Sequence, residues 1–162
     1  PLRSSRGGSS VASVLYKRQV QDLVLYLTMQ KILIGGLEEP LFPGVYAIFG
    51  HGNVTCLGEA LEAVKEEMPT WRGQNEQSMA LAGMAFTKSK RRRQIMVATS
   101  SIGPGSTNLL TAAAAAHANR LPILLLSGDT FANRLPDPVL QQVENCHKPG
   151  MTVSDAFQSF TR

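Results

Sequence analysis

The chain has 162 residues, 43% hydrophobic and 17% charged, with a formal net charge of +4. That composition suits one folded domain with a sizeable core and excludes a fibrous or wholly unstructured chain. No run of eighteen apolar residues offers a membrane span, and Cys56 and Cys146 lie outside any CxxC or Cys/His ligand spacing, so neither a disulfide framework nor a zinc site is expected and a reducing cytoplasm is the default compartment.

Residues 1–18, opening PLRSSRGGSS, lack the apolar stretch of a secretory signal. They are read as a leader or appended sequence without ordered structure, and residues 19–162 as the domain. Within 19–34 the apolar positions Val20, Leu23, Val24, Leu27 and Ile34 predict an amphipathic helix ended by Gly35-Gly36. GVYAIF, residues 44–49, is a short apolar run closed by GHGN and predicts a buried strand feeding a turn. Residues 54–67 alternate Leu57, Leu61 and Val64 with charged residues, as a helix does, and 69–72 predict a short strand.

Residues 75–87 are small or apolar all round a helical wheel, which predicts a buried helix. Its single carboxylate, Glu76, has two readings. A first-turn acid complements the helix dipole and free N–H groups; alternatively, the acid is there for chemistry. KSKRRRQ, residues 88–94, follows where cations suit the negative helix end, so a solvated helix terminus is preferred to a nucleic-acid patch. QIMVATS (94–100) and PILLL (122–126) predict further buried strands. Between them Gly103-Pro104-Gly105 turns into a helix whose run Ala112 to Ala116 is small enough to pack closely on a sheet. VSDAFQSFTR, residues 153–162, brings no closing element, and the domain is expected to be incomplete at that end.

Apolar strands alternating with helices predict an α/β three-layer sandwich around a mainly parallel sheet. Ligands in such folds gather at the carboxyl ends of strands. GHGN, GQNEQ, SSIGPGSTN and SGDTF all fall at those ends. GPGSTN lacks the lysine of a nucleotide P-loop, and the chain contains no GxGxxG.

The order GHGN, NEQSMALAGMAF, VATSSIGPGSTNLLTAAAAAHANRLPILLLSGD strongly resembles the pyrimidine-binding domain of thiamine-diphosphate-dependent enzymes, the superfamily of acetolactate synthase and benzaldehyde lyase. EEPLFPGVYAIFGHGN, WRGQNEQSMA and DTFANRLPDPVLQQVE most resemble its branch of cyclic 1,2-dione hydrolases in inositol catabolism. The resemblance implies that Glu76 faces the cofactor's aminopyrimidine and shares a proton with N1', promoting loss of the weakly acidic thiazolium C2–H. A dry setting protects that shared proton from water. It further implies cofactor contacts at Gly103, Pro104, Gly105 and Asn108, and substrate contacts at Gly50, Gly52, Asn53 and Gln77.

His51 is either a turn histidine bonded to backbone or a proton shuttle beside the substrate carbonyl. His117, deep in an alanine-rich helix, and His147, in a loop, are read as structural. Leu81 departs from relatives that place histidine nearby. The family holds Mg²⁺ and the diphosphate in a second domain marked by GDG; the superficial match SGDT, Ser127 to Thr130, sits on a pyrimidine-domain strand and is rejected, so no metal ligand is assigned. Expected partners are a small cyclic dione and further copies of the full-length chain, with no nucleic acid or membrane. The alternatives are an acetolactate synthase-like carboligase or decarboxylase domain, or a non-catalytic interaction module.

Overall fold

A computed structural model describes residues 7–129, 140–145, 147–148 and 150–161, with side chains from residue 17. Cys146, Thr130 and residues 131–139 of the dione-hydrolase-like stretch lie outside the described residues. Helix α1 (Gly7–Met29) starts earlier and stops sooner than the predicted helix over 19–34. The boundary at residue 18 therefore falls within a helix, where neighbouring Lys17 pairs with Glu59 at 3.0 Å. Beyond α1, β1 (Lys31–Ile34) and β2 (Leu37–Pro40) form an antiparallel hairpin with Ile34 opposite Leu37. Gly35 and Gly36 have φ of 63° and 87°, as a two-residue hairpin turn requires, so they close a hairpin instead of ending a helix.

Four strands form the main sheet: β3 (Val45–Ala47), β4 (Thr70–Arg72), β5 (Val97–Ser100) and β6 (Leu124–Ser127). They are parallel throughout, in the order β4-β3-β5-β6. Alternation along the strands sorts the core into two layers. Val45, Ala47 and Val97 join Val24, Leu27, Leu57, Leu61 and Met68 on one face. Ala98 joins Met79, Ala80, Leu109, Ala112 and Phe157 on the other, with Tyr46 and Leu125 at its margin. Burial on both faces makes the predicted three-layer α/β architecture.

The crossover after β3 departs from a single predicted helix. α2 (Gly50–Asn53) passes through one π-helical turn, Val54–Gly58, into α3 (Glu59–Ala63), and the chain leaves helical geometry at Val64, four residues short of the strand-ward Met68. α4 (Glu76–Ser89) is buried on one face only, through Met79, Ala80, Gly83 and Thr87, while Ala82 and Ala85 are exposed. The expectation of burial all round fails because only one side of α4 meets the sheet and the following helix. Gly83 makes that approach possible: a Cβ there would stand 3.2 Å from Ile123 and 3.3 Å from Met96.

Lys88 and residues 90–93 are exposed at and just beyond the end of α4. α5 (Pro104–Asn119) carries Pro104 in its first turn and buries Ala112, Ala113 and Ala116. His117 is exposed in the last turn of α5, one turn beyond Ala113. Near the C-terminal end a 3₁₀ helix, Val153–Ser159, capped reciprocally by Thr152 and Asp155, lays Phe157 against α5.

Candidate functional site

The strand order decides where the site lies. The chain leaves β3 toward β4 on one side and leaves β5 toward β6 on the other, so a crevice opens between the carboxyl ends of β3 and β5. Gly50, just beyond β3, has φ of 63° and packs directly on Ser101 Cβ, leaving no space for a side chain. Asn53 Nδ2 donates to Ser100 O at 3.1 Å across the same gap. From the other side Gly105 abuts Ser101 Oγ.

Buried Ser101 is thus the post on which both glycine turns close. Sequence alone does not single it out, although a serine directly after an apolar strand is a usable signal. The end of β6 joins the cluster too: the Ser106 and Ser127 hydroxyls hydrogen-bond each other, and Gly128 N donates to Ser100 O at 3.2 Å.

Glu76 is the first residue of α4, but it is not the cap. Asn75, extended at φ −150° and ψ 129°, accepts the Ser78 N–H on its side chain at 2.9 Å. The Glu76 carboxylate reaches α5 instead, where Asn108 Nδ2 donates to Oε2 at 3.0 Å. Its second oxygen borders Gly105, whose imagined Cβ would stand 2.9 Å from Oε1. Glu76 is half-buried, less enclosed than a fully dry site demands, because the described residues cover only one side of it.

The other expected residues are less closely gathered. Gly103 has φ of 57° and packs against the Gln141 carbonyl; Pro104 is exposed beside it. Gly52 faces open space. His51 is exposed on α2 and makes no side-chain hydrogen bond among the described residues, which gives the backbone-bonded turn reading no support. Half-buried Gln77 likewise makes no side-chain hydrogen bond among the described residues. Leu81 lies against the α4–α5 core, and the His147 N–H is bonded to Asn145 Oδ1 at 2.9 Å.

Residues 27–148 match the family described as thiamine pyrophosphate enzyme, N-terminal TPP binding domain. The chain belongs to this family. It is 51% identical over 142 residues to 3D-(3,5/4)-trihydroxycyclohexane-1,2-dione hydrolase 2 of Bacillus cereus (strain ZK / E33L). It is 50% identical over the same length to the hydrolase of that name from Bacillus anthracis, and 49% to that of Bacillus thuringiensis (strain Al Hakam). Each alignment covers 88% of this chain and 22% of the relative, so the chain spans about a fifth of the length of the curated relatives it matches.

As a TPP-binding domain, the chain has a donor set suited to the pyrimidine end of thiamine diphosphate. It offers a half-buried carboxyl with one oxygen held by an amide and the other beside Gly105, whose missing side chain allows that close approach. For Mg²⁺ the fit is absent among the described residues, where no three His, Cys, Asp or Glu side chains gather. No described helix is long and apolar enough to cross a membrane.

Proposed function

We propose that this chain is the cofactor-activating part of a longer cytoplasmic, oligomeric enzyme that opens a trihydroxycyclohexane-1,2-dione ring by hydrolytic C–C cleavage in inositol degradation. The observation that carries the reading is the Glu76 carboxyl, relieved of capping by Asn75 and held by Asn108 beside the GPG turn. The relatives' names supply the substrate class.

Thiamine diphosphate, when bound, supplies a carbon acid that adds to a carbonyl and holds the charge left at the cleaved bond. Glu76 would hold a proton toward the pyrimidine N1' of the bound cofactor and so favour its more basic tautomer. Gly103, Pro104 and Gly105 would border the pyrimidine ring. His51, on the opposite lip of the crevice and free of protein partners among the described residues, moves protons on substrate oxygens. Gly50, Gly52, Asn53 and Gln77 line the substrate side. Mg²⁺ and the diphosphate are held by residues other than those described.

The test offers the full-length protein the cyclic dione and, separately, pyruvate, in the presence of thiamine diphosphate and Mg²⁺. Dione consumption with a linear acid as product is expected. Turnover of pyruvate alone would assign the chain to a carboligase or decarboxylase instead.

A further inference from the structure

The two oxygens of Glu76 stand in different surroundings. Oε2 receives the Asn108 amide N–H at 3.0 Å, whereas Oε1 borders Gly105. Gly105 and Asn108 are three residues apart in the first turns of α5, so they share the helix face turned toward Glu76. An amide nitrogen only donates, so Oε2 facing it acts as an acceptor and carries no proton in that direction.

From this asymmetry we infer that Asn108 is a positioning residue for Glu76: it pins Oε2, leaves Oε1 as the oxygen that shares a proton with the cofactor, and does not itself need to touch the ring. The inference rests on the proposed pairing of Glu76 with pyrimidine N1'. Gly105 has the complementary part, since any side chain there would crowd Oε1 and Ser101 Oγ. Without the Asn108 donor the carboxyl is free to rotate about its terminal bond, and the two oxygens become interchangeable.

The test measures calorimetric affinity in full-length protein with Mg²⁺, for thiamine diphosphate and for an analogue whose N1' is replaced by CH. Wild type should prefer the natural cofactor by roughly 10- to 100-fold, the worth of a hydrogen bond to a charged group. Asn108→Leu, similar in volume but without a donor, should reduce that preference to about 3-fold or less by weakening the natural cofactor alone. Asn108→Gln, which restores a donating amide, should recover part of it.

Equal loss of affinity for both ligands in Asn108→Leu would make the residue a mere tie between α4 and α5 and overturn the inference. Unchanged preference would overturn it as well. If Asn108→Leu fails to fold, Asn108→Asp replaces the donor by an acceptor at the same size, and retention of wild-type preference there would be equally fatal. Absence of any preference in wild type, matched by Glu76→Gln, would instead defeat the underlying Glu76 pairing, and this inference with it.

Discussion

At the scale of residues, Glu76 and the glycines around Ser101 allow chemistry and stability to be perturbed separately. Because Asn75 caps α4, Glu76→Gln should leave the fold intact while slowing hydrogen exchange at cofactor C2 by roughly 10²- to 10⁴-fold in full-length protein, as read by NMR. Wild-type exchange would remove Glu76 from the mechanism. His51→Ala should depress dione turnover far more than C2 exchange, because exchange involves Glu76 and the cofactor only; equal losses would point to a collapsed turn. Two glycines of the same motif should behave oppositely. Gly50→Ala places a Cβ into Ser101 at a φ of 63° and should destabilise by about 1–3 kcal/mol, whereas Gly52→Ala, facing open space in a helix, should be neutral or mildly stabilising. Denaturation midpoints of the two variants give the comparison. Of these residues, Glu76, Gly105 and Asn108 were legible as one constellation only through the resemblance to a known family. Spacing alone could not reveal that the Glu76 carboxylate bypasses its own helix end, since that depends on contacts across 32 residues of chain.

At the scale of elements, α4 shows what a helical wheel conveys and what it omits. The wheel located the helix to within two residues at each end, yet it could not say that the described chain covers one face only. Its start depends on Asn75: Asn75→Ala should cost about 1 kcal/mol, measurable by chemical denaturation, because one first-turn N–H loses its acceptor. The parallel strands were legible from their apolar runs, although each spans only three or four residues. The first hairpin was misread for a physical reason. Val20, Leu23, Val24 and Leu27 set a helical rhythm that Ile34 seemed to extend, and a glycine pair both terminates helices and closes hairpins. The π-helical turn after GHGN has no counterpart in the apolar pattern, because one extra residue per turn leaves Leu57 and Leu61 in positions that also suit an α-helix.

At the scale of the whole molecule, β6 pairs among the described residues with β5 alone, and a groove of about 880 Å³ lies beside its start, lined by Ala116, Leu121, Ile123, Leu125 and Phe160 among others. A strand edge bordered by apolar side chains favours association. The 162 residues by themselves should therefore sediment as a concentration-dependent mixture; a single monomeric species across a hundredfold range would contradict this. They should also show no saturable thiamine-diphosphate binding in calorimetry at micromolar concentration, with or without Mg²⁺, since the described residues gather no metal ligands for the diphosphate end. Tight Mg²⁺-dependent binding would refute that expectation. Ser101 has a consequence for the order of folding. The loops that close on it arrive from distant parts of the chain, with Asn53 reaching Ser100 across 47 residues, while β1 and β2 join through two glycines. Local pairings form in microseconds, whereas long-range parallel pairings wait for loop closure. The crevice is consequently among the last regions to assemble, and in pulse-labelling refolding its amides, Gly128 N–H among them, gain protection after those of the hairpin.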